Sequence, residues 1–112
     1  MSRYDRGDVV LVRYCGANGT ESRLRPALVV SSETYQQGSQ QMILAAITGH
    51  RPSLQPGDTV LQAWKAAGLL DSSVVTGVLL VVAPDTVESR LGSLEPEDLH
   101  AVENSLRVSL GL

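Results

Sequence analysis

The apolar residues of this chain come in short β-branched runs, and only the last apolar series repeats at helical spacing. That pattern limits the fold more than any other feature, because period two suits a strand and period 3.6 a helix. Asp8 to Tyr14 reads as a first strand behind Gly7. Ala27 to Ser31 and Met42 to Thr48 read as a second and a third. Thr59 to Gln62 suggests a short fourth, and Trp64 to Ala67 one helical turn stopped by Gly68. Ser73 to Ala83 is a long fifth, ended by Pro84, and Gly77 inside it marks a bulge or bend. Leu99, Val102, Leu106 and Leu110 then share one helical face. Glu95-Pro96-Glu97-Asp98 is a start signal for that helix, and Gly111 stands where a C-cap glycine belongs.

The intervening segments read as connections. Cys15 to Leu24, with Gly16, Asn18 and Gly19, is expected to be a loop, as is Gly49 to Gly57 with Pro52 and Pro56. Glu33 to Gln41 is polar and glutamine-rich, with no clear period. Five short strands and a terminal helix imply a mainly β (α+β) chain, a small sheet or barrel of strongly bent antiparallel strands. The 112 residues suit one domain with a real core.

Composition narrows the setting. Hydrophobic content of 43% with 19% charged residues is ordinary for a soluble globular protein. No apolar run reaches the roughly 18 residues of a membrane span. The polar start Met1-Ser2-Arg3-Tyr4-Asp5-Arg6 argues against a secretory signal. Cys15 is alone, and His50 and His100 are far apart, so neither a disulfide nor a zinc site is expected. A cytoplasmic protein without a metal or other cofactor fits best. Arg6-Gly7-Asp8 spells a cell-adhesion tripeptide, a chance match in such a chain.

The formal net charge of −3 discourages a nucleic-acid partner, but its distribution does not. Residues 1–65 carry seven basic groups against five acidic ones, and residues 66–112 two against seven. Any polyanion site therefore belongs to the first half. Eight of the nine basic residues are arginine, which favours directed phosphate contacts over a loose lysine cloud.

Arg25-Pro26 stands at the mouth of one apolar run, and Thr48 ends another. A guanidinium that stays charged and a hydroxyl form a paired donor site for a phosphate-like anion. The proline holds Arg25 in extended backbone. From the residues alone, Arg25 is either half of such a site or a solvated arginine at a strand start. His50, two residues past Thr48, is an imidazole able to take a proton near neutral pH, or else a loop histidine touching solvent. With no Phe and only Tyr4, Tyr14, Tyr35 and Trp64, an extended base-stacking platform is not expected. Trp64 reads as a core or interface residue.

Arg6-Gly7-Asp8-Val9-Val10-Leu11-Val12 and Arg25-Pro26-Ala27-Leu28-Val29-Val30-Ser31 resemble segments of the MazF/PemK toxin family. So do Ala45-Ala46-Ile47-Thr48, Ala67-Gly68-Leu69-Leu70 with Ser73-Val74-Val75, and Leu91-Gly92-Ser93-Leu94 with Glu97-Asp98-Leu99. They follow in the family's order across nearly the whole chain. The resemblance implies an SH3-like barrel with a C-terminal helix, a homodimer, and single-stranded RNA lying across the dimer interface. It implies a type II toxin–antitoxin toxin, with an acidic antitoxin as partner. It further implies metal-independent endoribonuclease chemistry through 2′-hydroxyl attack, leaving a 2′,3′-cyclic phosphate and a 5′-hydroxyl.

The family's catalytic arginine and threonine map onto Arg25 and Thr48. Arg23, Gly16, Asn18, Gly19, Gly49 and Arg51 are then expected to hold the RNA backbone, with His50 added to the catalytic set. Arg25 suits a charge clamp or a proton donor better than a general base, because a guanidinium stays charged at any working pH. One departure stands out. After Ser73-Val74-Val75 the family usually turns polar and charged, whereas here Thr76-Gly77 leads into the apolar run Val78 to Val82. The alternative is accordingly a catalytically degenerate relative, a dimeric antitoxin- or nucleic-acid-binding module.

Overall fold

Strand β1 (Asp8–Cys15) forms the spine of the computed structural model, which describes residues 2–15 and 22–112. It pairs antiparallel with β2 (Ser22–Val29) on one side and β6 (Val87–Ser93) on the other. Beyond β2 lie β3 (Met42–Gly49), then β5 (Ser73–Val82), then the two-residue β4 (Thr59–Val60). Among the described residues these strands make one six-stranded sheet, ordered β4-β5-β3-β2-β1-β6. The mainly β fold with a terminal helix is therefore present, but the sheet stays open rather than closing into a ring.

Both faces of the sheet are buried, which is why Val9-Val10-Leu11-Val12 is almost continuously apolar instead of alternating. On one face Val9, Leu28, Ala45, Ile47 and Val75 pack with Val102, Leu99 and Leu106 of α2 (Pro96–Leu110), and Trp64 joins them partly buried. On the other face Val10, Val12, Ala27, Val29, Met42 and Leu44 are buried against Tyr14, Leu80 and Val82. Burying one leucine such as Leu28 contributes about 2 kcal/mol. Helix α2 begins at Pro96 and ends at Gly111, whose φ of 72° is the left-handed cap expected there. Asp98 in its first turn is buried, and its carboxylate accepts the backbone N–H groups of Gln62 (3.1 Å) and Ala63 (2.9 Å).

Gly77 does mark an irregularity. The β3–β5 register shifts between Ala45 and Ile47, leaving Thr76, Gly77 and Val78 opposite the single residue Ala46. Three expectations are corrected. β2 starts at Ser22, not Ala27, because its polar outer half still pairs with β1 from Tyr14↔Arg23 to Cys15↔Ser22. Arg25 thus lies inside a strand. The polar stretch after Ser32 holds a short helix, α1 (Glu33–Ser39), whose N-cap Ser32 hydroxyl accepts the Tyr35 N–H at 3.1 Å. A sixth strand, β6, was absent from the sequence pattern. Its Val87 and Leu91 pack on opposite faces despite even spacing, because the register against β1 shifts by one residue between Val87 and Ser89 and breaks the alternation.

The expected single turn over Trp64–Ala67 is present, closed by Ala67 N–H to Ala63 C=O at 3.2 Å, and Gly68 ends it at φ +85°. Arg6-Gly7-Asp8 proves structural. Gly7 N–H donates to Val29 C=O at 2.8 Å, and the buried Asp8 carboxylate accepts from Asp5 N–H at 2.9 Å.

Candidate active site

β2 and β3 part company at the strand ends, and a cleft opens in the fork. Their pairing runs Val29↔Leu44, Leu28↔Ala45, Ala27↔Ala46 and stops. Pro26, the next residue of β2, has no N–H to continue it. β3 instead stays with β5, where Thr48 is opposite Val74. Carried two residues past Ala27↔Ala46, the same register sets Arg25 across from Thr48, on the face that Ala27 occupies.

The cleft measures about 500 Å³ and gathers Arg25, Thr48, His50 and Arg51. Pro52, Val78 and Leu80 form an apolar wall, while Tyr14 and Cys15 close the β1 side. Thr76 lies in the bulge of β5, where its hydroxyl donates to Ala46 C=O at 2.8 Å and accepts from Val78 N–H at 3.2 Å. That pair of bonds holds the bulge that turns Val78 toward the cleft.

The two cleft arginines differ in their surroundings. Among the described residues Arg25 has no carboxylate partner, and its buried Nε makes no hydrogen bond. Its guanidinium carbon lies 5.8 Å from the centroid of the Tyr14 ring, within cation–π range. Arg51 Nε stands 3.3 Å from Asp58 Oδ2, a charge contact without hydrogen-bond geometry. The Asp58 side chain is 2% exposed and also accepts Gln55 N–H at 2.9 Å. Tyr14 is the cleft group whose titration is clearly perturbed. Burial pushes its phenol up, against the Ile47 backbone and the Arg25 charge, which pull it down.

Of the sequence candidates, Arg25, Thr48, His50 and Arg51 come together here. Gly49 ends β3 between Thr48 and His50 and is exposed. Arg23 is exposed on β2 opposite Tyr14 and does not line the cleft. Gly16, Asn18 and Gly19 lie outside the described residues. Sequence reasoning missed Tyr14, Thr76 and the apolar wall as parts of the site. Tyr14 had a signal, since Val10, Val12 and Tyr14 alternate onto one strand face. The apolar run after Gly77 divides, with Leu80 and Val82 packing on the core and Val78, Leu79 and Val81 exposed.

Among the described residues no helix is long and apolar enough to cross a membrane. Residues 5–110 match the family described as PemK-like, MazF-like toxin of type II toxin-antitoxin system. Endoribonuclease MazF of Staphylococcus saprophyticus is 27% identical over 109 residues, or 96% of this chain and 91% of that protein. An endoribonuclease in complex with its cognate antitoxin from a mycobacterial species superposes with a TM-score of 0.75 at 19% identity. That match covers 97% of this chain and 96% of the other. A MazE–MazF crystal structure (Form-I) from Deinococcus radiodurans gives 0.71 at 25% identity, with 97% of each chain covered. Fold, cleft and these likenesses agree: the chain belongs to the PemK-like, MazF-like toxins of type II toxin–antitoxin systems, a family of endoribonucleases.

Proposed function

We propose that residues 1–112 act as one domain that cleaves single-stranded RNA without a metal ion. The supporting observation is an arginine that has no carboxylate partner among the described residues and faces Thr48 across the β2–β3 fork. In the reaction the ribose 2′-oxygen bonds to the adjacent phosphorus and the bond from phosphorus to the 5′-oxygen breaks. The products are a 2′,3′-cyclic phosphate and a 5′-hydroxyl. Negative charge builds on the non-bridging oxygens, where Arg25 clamps it and the Thr48 hydroxyl adds a second donor. Preorganised donors of this kind are each worth roughly 3 kcal/mol of barrier. His50 takes the 2′-proton, and Arg25 is placed to return one to the leaving 5′-oxygen. Arg51, and Arg23 outside the cleft, hold neighbouring phosphates.

In this reading the protein works in the cytoplasm as a homodimer. A structural neighbour is an endoribonuclease in complex with its cognate antitoxin, and here an acidic antitoxin competes with RNA for the same arginines. The exposed apolar residues Val78, Leu79 and Val81 favour a second reading, a dimeric module that binds antitoxin or nucleic acid without cutting. One assay separates the two. Long single-stranded RNA is incubated in EDTA with the wild type, Arg25→Ala and Thr48→Ala. Discrete cuts lost in both variants support cleavage; intact RNA across many sequences refutes it, and cuts abolished by EDTA refute the metal-free route.

A further inference from the structure

The rung that would follow Ala27↔Ala46 in the β2–β3 ladder joins Pro26 to Ile47, and a side chain from a third strand stands in its place. Tyr14 of β1 donates its phenolic hydrogen to Pro26 C=O at 2.9 Å. Pro26 C=O is the acceptor that a direct rung from Ile47 N–H would use, and the phenol occupies it. The Ile47 backbone also pulls the phenol down toward its ionised form, against the burial that pushes it up. The same ring passes beside Arg25, on the next β1-facing position of β2, with 5.8 Å between ring centroid and guanidinium carbon.

We propose that Tyr14 is a positioning residue for the cleavage reaction. Its hydroxyl wedges β2 and β3 apart at the Pro26–Ile47 rung, and its ring seats the Arg25 guanidinium toward Thr48. This rests on the nuclease reading, because it assigns Tyr14 to the service of Arg25. It gives the Arg25 guanidinium one geometry through an aromatic face and a fixed strand edge.

The test uses two variants in two backgrounds. Tyr14→Phe keeps the ring and removes the wedge, and is expected to lower kcat about tenfold with KM for RNA unchanged. Tyr14→Leu removes both and is expected to lower kcat about a hundredfold. In an Arg25→Lys background, where the planar fork is already gone, Tyr14→Leu should cost less than about threefold more. Equal losses in both backgrounds would mean a merely structural tyrosine and overturn the proposal, as would wild-type kcat in Tyr14→Leu. A second readout does not depend on catalysis. Nitrogen-15 relaxation at Arg25 Nε should report an ordered side chain in the wild type and in Tyr14→Phe, and a mobile one in Tyr14→Leu. Equal order in all three sinks the positioning role. A wild type that cuts no RNA sinks the nuclease reading instead, and the relaxation data still decide whether Tyr14 seats Arg25.

Discussion

Arg25 and Thr48 occupy one face of the sheet two residues beyond the last rung that joins their strands, Ala27↔Ala46. The pair comes from two strands that diverge, since β3 keeps its partner β5 while β2 keeps β1. Each side chain is carried by a strand hydrogen-bonded on its far side, so both are held rigidly while the space between them is open to a ligand.

His50 leaves β3 immediately after Gly49 and lines the same cleft. If it takes the 2′-proton, His50→Ala should lower kcat by about a hundredfold and flatten the acidic limb of the pH–rate profile. The check is kcat across a pH series for both proteins. A small loss with an unchanged profile assigns His50 to phosphate contact alone.

Arg51 is held at the cleft by the buried Asp58, and it is expected to bind phosphate rather than to act in the bond-breaking step. Arg51→Ala should therefore raise KM and leave kcat within about threefold. Its plot of log affinity against log salt should flatten by about 0.7, the share of one single-strand phosphate contact. An unchanged slope refutes the contact.

Gly68 and Gly92 let two backbones touch. A Cβ on Gly68 would lie 2.1 Å from Leu91 O, and one on Gly92 would lie 2.5 Å from Ala67 O. Gly68 also needs its φ of +85°, so Gly68→Ala combines a clash with a disfavoured backbone and should cost about 3 kcal/mol or more. Gly92→Ala meets only the clash and should cost less. Urea titrations of the three proteins give the comparison, and equal stability would show that the turn moves freely off β6.

Glu103 of α2 pairs with Arg6, and that hydrogen-bonded guanidinium holds its carboxyl below the ordinary value of 4.5. A carboxyl whose value is lowered by folding stabilises the protein above its unfolded value and loses that contribution as pH falls through the folded one. Glu103→Gln should thus be less stable than wild type at neutral pH, with the gap closing below about pH 4.5. Melting temperatures from pH 7 down to 3 check the sign. A gap independent of pH would mean that the ion pair carries none of it.

The parts of this protein governed by local chemistry are readable in its sequence. β1, β3 and β5 show as β-branched runs, α2 shows through its Pro96 start, its helical repeat and its Gly111 cap, and Gly77 announces the bulge. Arg25 and Thr48 stand out by residue type and by family resemblance. α1 escapes notice because its seven residues carry no apolar repeat, and β6 because a register shift moves Val87 and Leu91 to opposite faces. Only the tertiary structure decides that β2 and β3 diverge at Pro26, that the Tyr14 phenol enters the gap, and that Asp58 reaches Arg51. The physical reason is that each of these depends on the register between separate strands or on the path of a loop. A single residue of slip would turn each of the strand side chains to the other face, and no local propensity records it.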